Sequence, residues 1–317
     1  MKGLAMTKPR SAFVNTEIIR LHYLEWDSSL TAQTAPGEIG ESAEDNIPLV
    51  LLHGLSATAN TWQLVAQHLY HKHLVIAFDL RGHGLSEQPE AGYDLVTVAE
   101  DVVHGMAALG LGQVALVGHG WGARVALVLA ARHPALVSHL VLVDCPHVEP
   151  RHWPGMTHDR FIRASEKGPD RHYASLNHFL EAMKAEMEVF WSPEIENIIL
   201  SYVQQLPDGS VEERLQREHG RQIRESLWED RALLYYSKLS CPVLLVPAAP
   251  EPKPDGDPPE RLETAAEFAA AKGYMAAQVA RAIRRCSVLW MPGANHDIQL
   301  QHPQTLAQAV ASFVAEL

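Results

Sequence analysis

Residues 114–125 read VALVGHGWGARV, and this stretch decides the fold. Val114 to Val117 form an aliphatic run with the length and branching of a buried strand. Gly118, Gly120 and Gly122 then alternate through a tight bend, and a helical spacing begins at Trp121. A strand, a sharp glycine-rich bend and a helix together lift the residue at the bend into a cleft, where a serine or aspartate nucleophile is the usual occupant. Here that residue is Gly120, which has no side chain to react.

Working outward, the same rhythm recurs. PLVLLHG is followed by a helix from about Asn60, LVIAFDL by a helix near 94–110, VALVGHG by a helix from Trp121 to His133, and HLVLVD comes next. Uninterrupted Val/Leu/Ile runs joined by amphipathic helices mean parallel strands buried on both faces. Residues 11–26 alternate as two antiparallel edge strands, and residues 27–46 are polar enough for a solvated loop. The rhythm stops between Cys145 and Leu239, where apolar residues take helical spacing. It resumes at PVLLVPA (242–248) and CSVLWMPG (286–293), and a helix from about Pro303 to Glu316 closes the chain. Between those last two strands lie a proline-rich loop, 249–263, and an alanine-rich helix. The expected architecture is α/β: a mostly parallel sheet flanked by helices, formed by residues 1–145 and 240–317, with a helical cap inserted at 146–239.

Composition excludes several classes. Hydrophobic residues make up 47% and charged residues 20%, as in a folded globular protein. The net charge is −12, with 38 acidic against 26 basic residues, which argues against nucleic-acid binding. The apolar runs are strand-sized, well short of the roughly 20 residues of a membrane span. The first residues, MKGLAMTKPRSAFV, lack the apolar stretch of a signal peptide, so a cytoplasmic location is expected. Cys145, Cys241 and Cys286 are widely separated and read as buried thiols, and the histidines show no metal-ligand spacing. No dinucleotide fingerprint or P-loop is present, so no cofactor is expected.

Four motifs stand in order: LLHGLSATANTW (51–62), FDLRGHGLSEQP (78–89), VGHGWGARVA (117–126) and MPGANHDIQLQHP (291–303). With strands before each, the chain resembles the α/β-hydrolase family from about Phe13 to the C-terminus. The resemblance implies chemistry just beyond the carboxyl ends of the strands. It makes the backbone N–H groups of Leu55 and Trp121 an oxyanion hole, and His296 the general base. It places the acid a few residues after strand 242–248, at Glu251, which is favoured. Asp144, ending HLVLVD, is the alternative, and Asp255 and Asp257 lie further out. FDLRGHGLS reads as structure: Arg81 pairs with carboxylates or carbonyls, and Asp79 anchors loop N–H groups. Ser56, Ser86 and Cys145 are secondary nucleophile candidates, and His119 packs beneath the bend.

Three explanations of Gly120 stay open. An ester hydrolase of the Ser-His-acid type has Gly where Ser stood; or an epoxide hydrolase or dehalogenase-like chain has lost its Asp; or the protein never needed a covalent nucleophile, with His296 activating a water in the gap at Gly120 or the pocket simply binding a ligand. In each case the aromatics of 146–239 and the leucine-rich mouth imply a small or medium apolar substrate or ligand. Oligomeric state is left open.

Overall fold

The computed structural model describes residues 7–28, 47–145, 150–152, 156–166, 172–187, 190–249 and 265–315. Strands β1 (Arg10–Asn15) and β2 (Arg20–Trp26) form an antiparallel hairpin at one edge of the main sheet. β3 (Leu49–Leu52) leads through a short 3-10 turn, Ala59–Trp62, into α1 (Gln63–Ala66). β4 (Val75–Phe78), α2 (Leu95–Ala108), β5 (Val114–His119), α3 (Trp121–Arg132) and β6 (Val137–Val143) follow. Each of these four central strands is buried along nearly its whole length, as the unbroken aliphatic runs require.

Between β6 and β10 lie α4 (His158–Glu166), β7 (His172–Tyr173), α5 (Leu176–Glu186), α6 (Pro193–Leu200), β8 (Val203–Gln205), β9 (Val211–Glu213), α7 (Arg217–Glu229) and α8 (Ala232–Tyr236). The chain then returns through β10 (Val243–Val246), β11 (Ala248–Ala249), α9 (Ala265–Ala282), β12 (Cys286–Val288), β13 (Met291–Pro292), α10 (Ile298–Gln301) and α11 (Pro303–Ala315). The main sheet runs β1-β2-β4-β3-β5-β6-β10-β12; β1–β2 and β2–β4 are antiparallel and every other pairing is parallel.

Alternation along the strands splits the core in two. Val50, Leu52, Leu116, Leu140 and Leu245 face α2, α3 and α9, while Leu49, Leu51, Val117, Val141 and Val246 face α1 and α11. A third apolar cluster holds the β6–β10 segment together: Ile195, Ile198, Ile199, Phe179 and Val211 pack with Leu300 of α10. On its other side that segment is tied to α3 by a buried ion pair, Arg124 Nη1 to Asp230 Oδ2 at 3.0 Å. Arg151 adds hydrogen bonds to the carbonyls of Trp228 and Asp230.

Two expectations need correction. The segment between β6 and β10 is not purely helical, because β7, β9 and β8 form a small antiparallel sheet. Its strands are two or three residues long, too short to show alternation in a sequence. The run 286–293 is not one strand either. β12 pairs with β10, and β13 pairs with β11. Pro247, between β10 and β11, has no N–H, and the ladder steps across it as Met291 N donates to Pro247 O at 3.1 Å.

Candidate functional site

The bend at residues 118–122 lies where β5 delivers the chain to α3. Gly120 takes φ +53, a left-handed conformation that costs glycine little and any other residue on the order of 1–3 kcal/mol. Gly122 is required for a different reason. A β-carbon there would lie 2.4 Å from His53 O and 2.5 Å from Leu52 O, so α3 crosses the end of β3 at a separation only glycine permits. Gly120 N donates to Val143 O at 3.0 Å, which fastens the bend to the end of β6.

Asp144 is the next residue after that carbonyl. Its φ is +37, a strained value held in place because Asp144 N donates to Val246 O at 2.9 Å and its side chain Oδ1 accepts from Ala248 N at 2.9 Å. The carboxylate is thereby turned toward the turn after β13, where His296 Nδ1 donates to Asp144 Oδ2 at 2.7 Å. With Nδ1 committed to the carboxylate, Nε2 is left with its lone pair facing away from it. It faces the bend: a β-carbon on Gly120 would sit 3.2 Å from His296 Nε2 and 3.3 Å from its Cε1. The side-chain direction of the bend and the reactive nitrogen of the imidazole thus meet.

The electrostatics suit a base. His296 is hemmed in by protein atoms, which lowers its proton affinity, yet 57% of its side chain remains open to solvent. The Asp144 hydrogen bond and charge more than offset the crowding, so its pKa stands above the ordinary imidazole value. Asp144 pays a desolvation penalty that alone would raise its pKa, but His296 and Lys272 hold it well below the usual carboxylate range. His119 packs under His296 with ring centroids 4.4 Å apart and donates from Nε2 to His296 O at 3.0 Å. Burial and the neighbouring imidazole push its own pKa down to about 4, which keeps it neutral.

The other predicted residues fall as follows. Leu52 and Gly118 are partners across the β3–β5 ladder, so Leu55 and Trp121, each three residues further on, emerge at the same sheet edge. Trp121 is the first residue of α3, whose N–H has no intrahelical carbonyl to bond. Asp79 accepts from Ala59 N at 2.6 Å and Leu85 N at 2.9 Å, joining the first two motif loops. Arg81 makes a two-point ion pair with Asp101, both bonds 2.7 Å. Ser86 is buried, donating to Asp79 O and accepting from His22 N, and these bonds occupy its hydroxyl. Burial pushes the Cys145 thiol up to about 11, so little of it is thiolate at neutral pH. Ser56 has φ +62 in a turn, and its N–H donates to His83 Nε2 at 3.3 Å.

Glu251, the favoured acid, lies outside the described residues, as do Asp255 and Asp257. An imidazole Nδ1 carries one proton, and here Asp144 accepts it. Lys272 is an addition. Its Nζ donates to Asp144 Oδ1 at 2.7 Å and Oδ2 at 2.9 Å. The sequence does carry a signal for it: Lys272, Ala276 and Val279 fall at helical spacing on one stripe of α9 that continues to Ile283 just past its end, and the last three are buried core residues. A lysine on that stripe calls for a buried partner. Among the described residues no group of three or more His, Cys, Asp or Glu could hold a metal ion. No described helix is long and apolar enough to cross a membrane.

Residues 47–194 match the family model described as alpha/beta hydrolase fold. The chain superposes on the crystal structure of E-2-(acetamidomethylene)succinate hydrolase with a TM-score of 0.73 at 22% identity, covering 96% of this chain and 99% of that one. By this superposition, and by the family match over residues 47–194, the chain has the α/β-hydrolase fold. It is 38% identical over 104 residues to 2-(acetamidomethylene)succinate hydrolase of Mesorhizobium japonicum, covering 32% of this chain and 37% of that protein. It is 31% identical over 137 residues to epoxide hydrolase 2 of Caenorhabditis elegans, covering 43% and 34%. These alignments span about a third of the length of the curated relatives, 37% and 34%.

Proposed function

We propose that this chain is built on a carboxylic-ester hydrolase of the Ser-His-acid type in which Gly120 stands at the nucleophile position, so that its own ester hydrolysis is weak or absent. The observation that carries this reading is the 3.2 Å separation between a β-carbon at Gly120 and His296 Nε2. A serine hydroxyl projecting from that point would reach the imidazole, and Asp144 would steady the imidazolium that forms. The N–H groups of Leu55 and Trp121 would receive the developing oxyanion, each worth roughly 3–4 kcal/mol in a dry site.

Losing the nucleophile from such a set costs about six orders of magnitude in turnover in a well-studied serine protease, leaving about 10³–10⁴ over water from the oxyanion hole and binding. In this chain the residual route is water deprotonated by His296 and delivered to a bound acyl group. Residues 146–239 form the cap over a small or medium apolar substrate. Backbone oxyanion donors, unlike the nucleophile, survive the change to glycine.

The test is hydrolysis of short p-nitrophenyl esters by the unmodified chain, by Gly120→Ser and by Gly120→Ser with His296→Ala. Activity gained in the first variant and lost in the second supports the reading. The epoxide hydrolase relative favours a second reading, in which an aspartate is the missing residue; Gly120→Asp opening an epoxide while Gly120→Ser stays inert would establish it. Inactivity of both variants, with tight binding of an apolar ligand by the unmodified chain, would instead establish a non-catalytic binder.

A further inference from the structure

The geometry points to Lys272 as a positioning residue: it fixes the Asp144 carboxylate and offsets part of its charge, so that less of the counter-charge falls on His296 and the imidazole keeps more of its base form. Every acceptor site of Asp144 is used. Oδ1 takes Ala248 N at 2.9 Å and Lys272 Nζ at 2.7 Å, and Oδ2 takes His296 Nδ1 at 2.7 Å and Lys272 Nζ at 2.9 Å. A carboxylate held by the imidazole alone would be free to rotate about its Cβ–Cγ bond. The lysine, bridging both oxygens, and the Ala248 N–H fix its plane.

The charge argument follows from burial. The Asp144 side chain is 3% exposed and that of Lys272 15%, so their attraction is little screened by water. An isolated buried carboxylate next to an imidazole draws a proton onto the ring, because only the imidazolium would balance it. With an ammonium already on the carboxylate, that demand is reduced. Among the described residues, the other groups acting on His296 include Asp297 before α10 and the neutral His119 of β5, and Asp297 in turn acts on the phenol of Tyr202. None of these bridges Asp144 as Lys272 does.

Lys272 also has a structural consequence for the site. α9 packs against β11 and β12, and its buried stripe runs from Lys272 through Ala276 and Val279 to Ile283 just past its end. The lysine therefore couples the placement of a whole helix to the orientation of the acid. Its role is separate from that of Gly120, since it acts on the base whatever stands at the bend. The inference depends on the proposed hydrolytic reading only for its kinetic consequence.

The experiment is a pH titration of the His296 imidazole by nuclear magnetic resonance in the full chain, its signal assigned by its loss in His296→Ala. The native protein is compared with Lys272→Met and Lys272→Arg. The expected result is a titration midpoint that moves to higher pH in Lys272→Met and returns toward the native value in Lys272→Arg, which restores the cation. An unchanged or lowered midpoint in folded Lys272→Met would overturn the proposal. If Lys272→Met does not fold, Lys272→Gln takes its place under the same criteria.

In the Gly120→Ser background, Lys272→Met should also lower ester hydrolysis at pH 6 by on the order of threefold relative to its value at pH 8. A midpoint that moves while Gly120→Ser stays inactive on esters would leave this inference standing and remove the hydrolytic reading. An active Gly120→Ser with an unmoved midpoint would do the reverse.

Discussion

At the β5–α3 bend the backbone carries the whole design and the side chain none of it; at His296, whose Nε2 lies 3.2 Å from where a β-carbon on Gly120 would sit, the design is carried by side chains drawn from distant parts of the chain. The bend keeps its positive φ, its tie to Val143 O and the close crossing at Gly122, although nothing projects from its apex. The opposite side depends on Asp144 after β6, Lys272 from α9 and His296 after β13, each correctly turned. One substitution can remove a nucleophile without disturbing its scaffold, because the strained backbone is most easily adopted by glycine. A base of this kind survives only if three separate elements keep their places. That all three keep their places here is what the proposed hydrolytic reading leans on most.

The largest test of that contrast is to restore the side chain. Gly120→Ser should raise p-nitrophenyl ester turnover by about 10⁴-fold or more over the unmodified chain, read as initial rates under saturating substrate. Next, Asp144→Asn in the Gly120→Ser background should lower turnover by roughly 10³–10⁴-fold, because an amide cannot hold the imidazole in the required tautomer or stabilise its charged form. The matching change Glu251→Gln should leave turnover within about threefold if Asp144 alone holds Nδ1.

Stability offers a middle-sized test away from the bend. Asp230→Ala removes a buried carboxylate partner of Arg124, whose side chain is 2% exposed, and should cost about 3–5 kcal/mol in denaturant unfolding. The bend itself predicts a smaller loss: Gly120→Ser at φ +53 should cost about 1–3 kcal/mol by the same measurement, so that gained activity accompanies lost stability.

The smallest effect is in pH. His296 acts as base only when neutral, and its pKa is raised above the ordinary value near 6.5. Turnover of Gly120→Ser should accordingly fall as pH is lowered through a midpoint above 6.5, by about tenfold per unit once well below it. A profile whose acid limb lies below pH 6.5 would break the link between Asp144 and the base.

How much of this was legible in the sequence depended on whether the signal was local. The parallel strands announced themselves because a strand buried on both faces is apolar at every position, as at Leu49–Leu52 and Val114–Val117. The bend was legible because alternating glycines between an aliphatic run and a helical spacing mark a tight turn, although the carbonyls of Leu52 and His53 that Gly122 makes room for are distant in the chain. His296 was legible from its place after the last strand. The orientation of Asp144 was not, because Asp144 and Glu251 both follow strand ends, and what turns the Asp144 carboxylate onto His296 is its own left-handed backbone and the N–H of Ala248, neither of which leaves a mark in the sequence. Lys272 lay in plain view on an alanine-rich helix, but its meaning required knowing that the stripe it shares with Val279 faces inward. The short strands β7, β8 and β9 were invisible because two or three residues cannot display a period of two.

The account stands or falls on the bend facing the imidazole across a shared cleft. The most direct measurement is covalent labelling of Gly120→Ser by a serine-directed fluorophosphonate, with the adduct located by peptide mass mapping. One adduct per chain at position 120, absent from the unmodified protein and from the double variant with His296→Ala, is the predicted result. A folded Gly120→Ser that takes up no label at that position, or takes it up equally well without His296, would contradict the account.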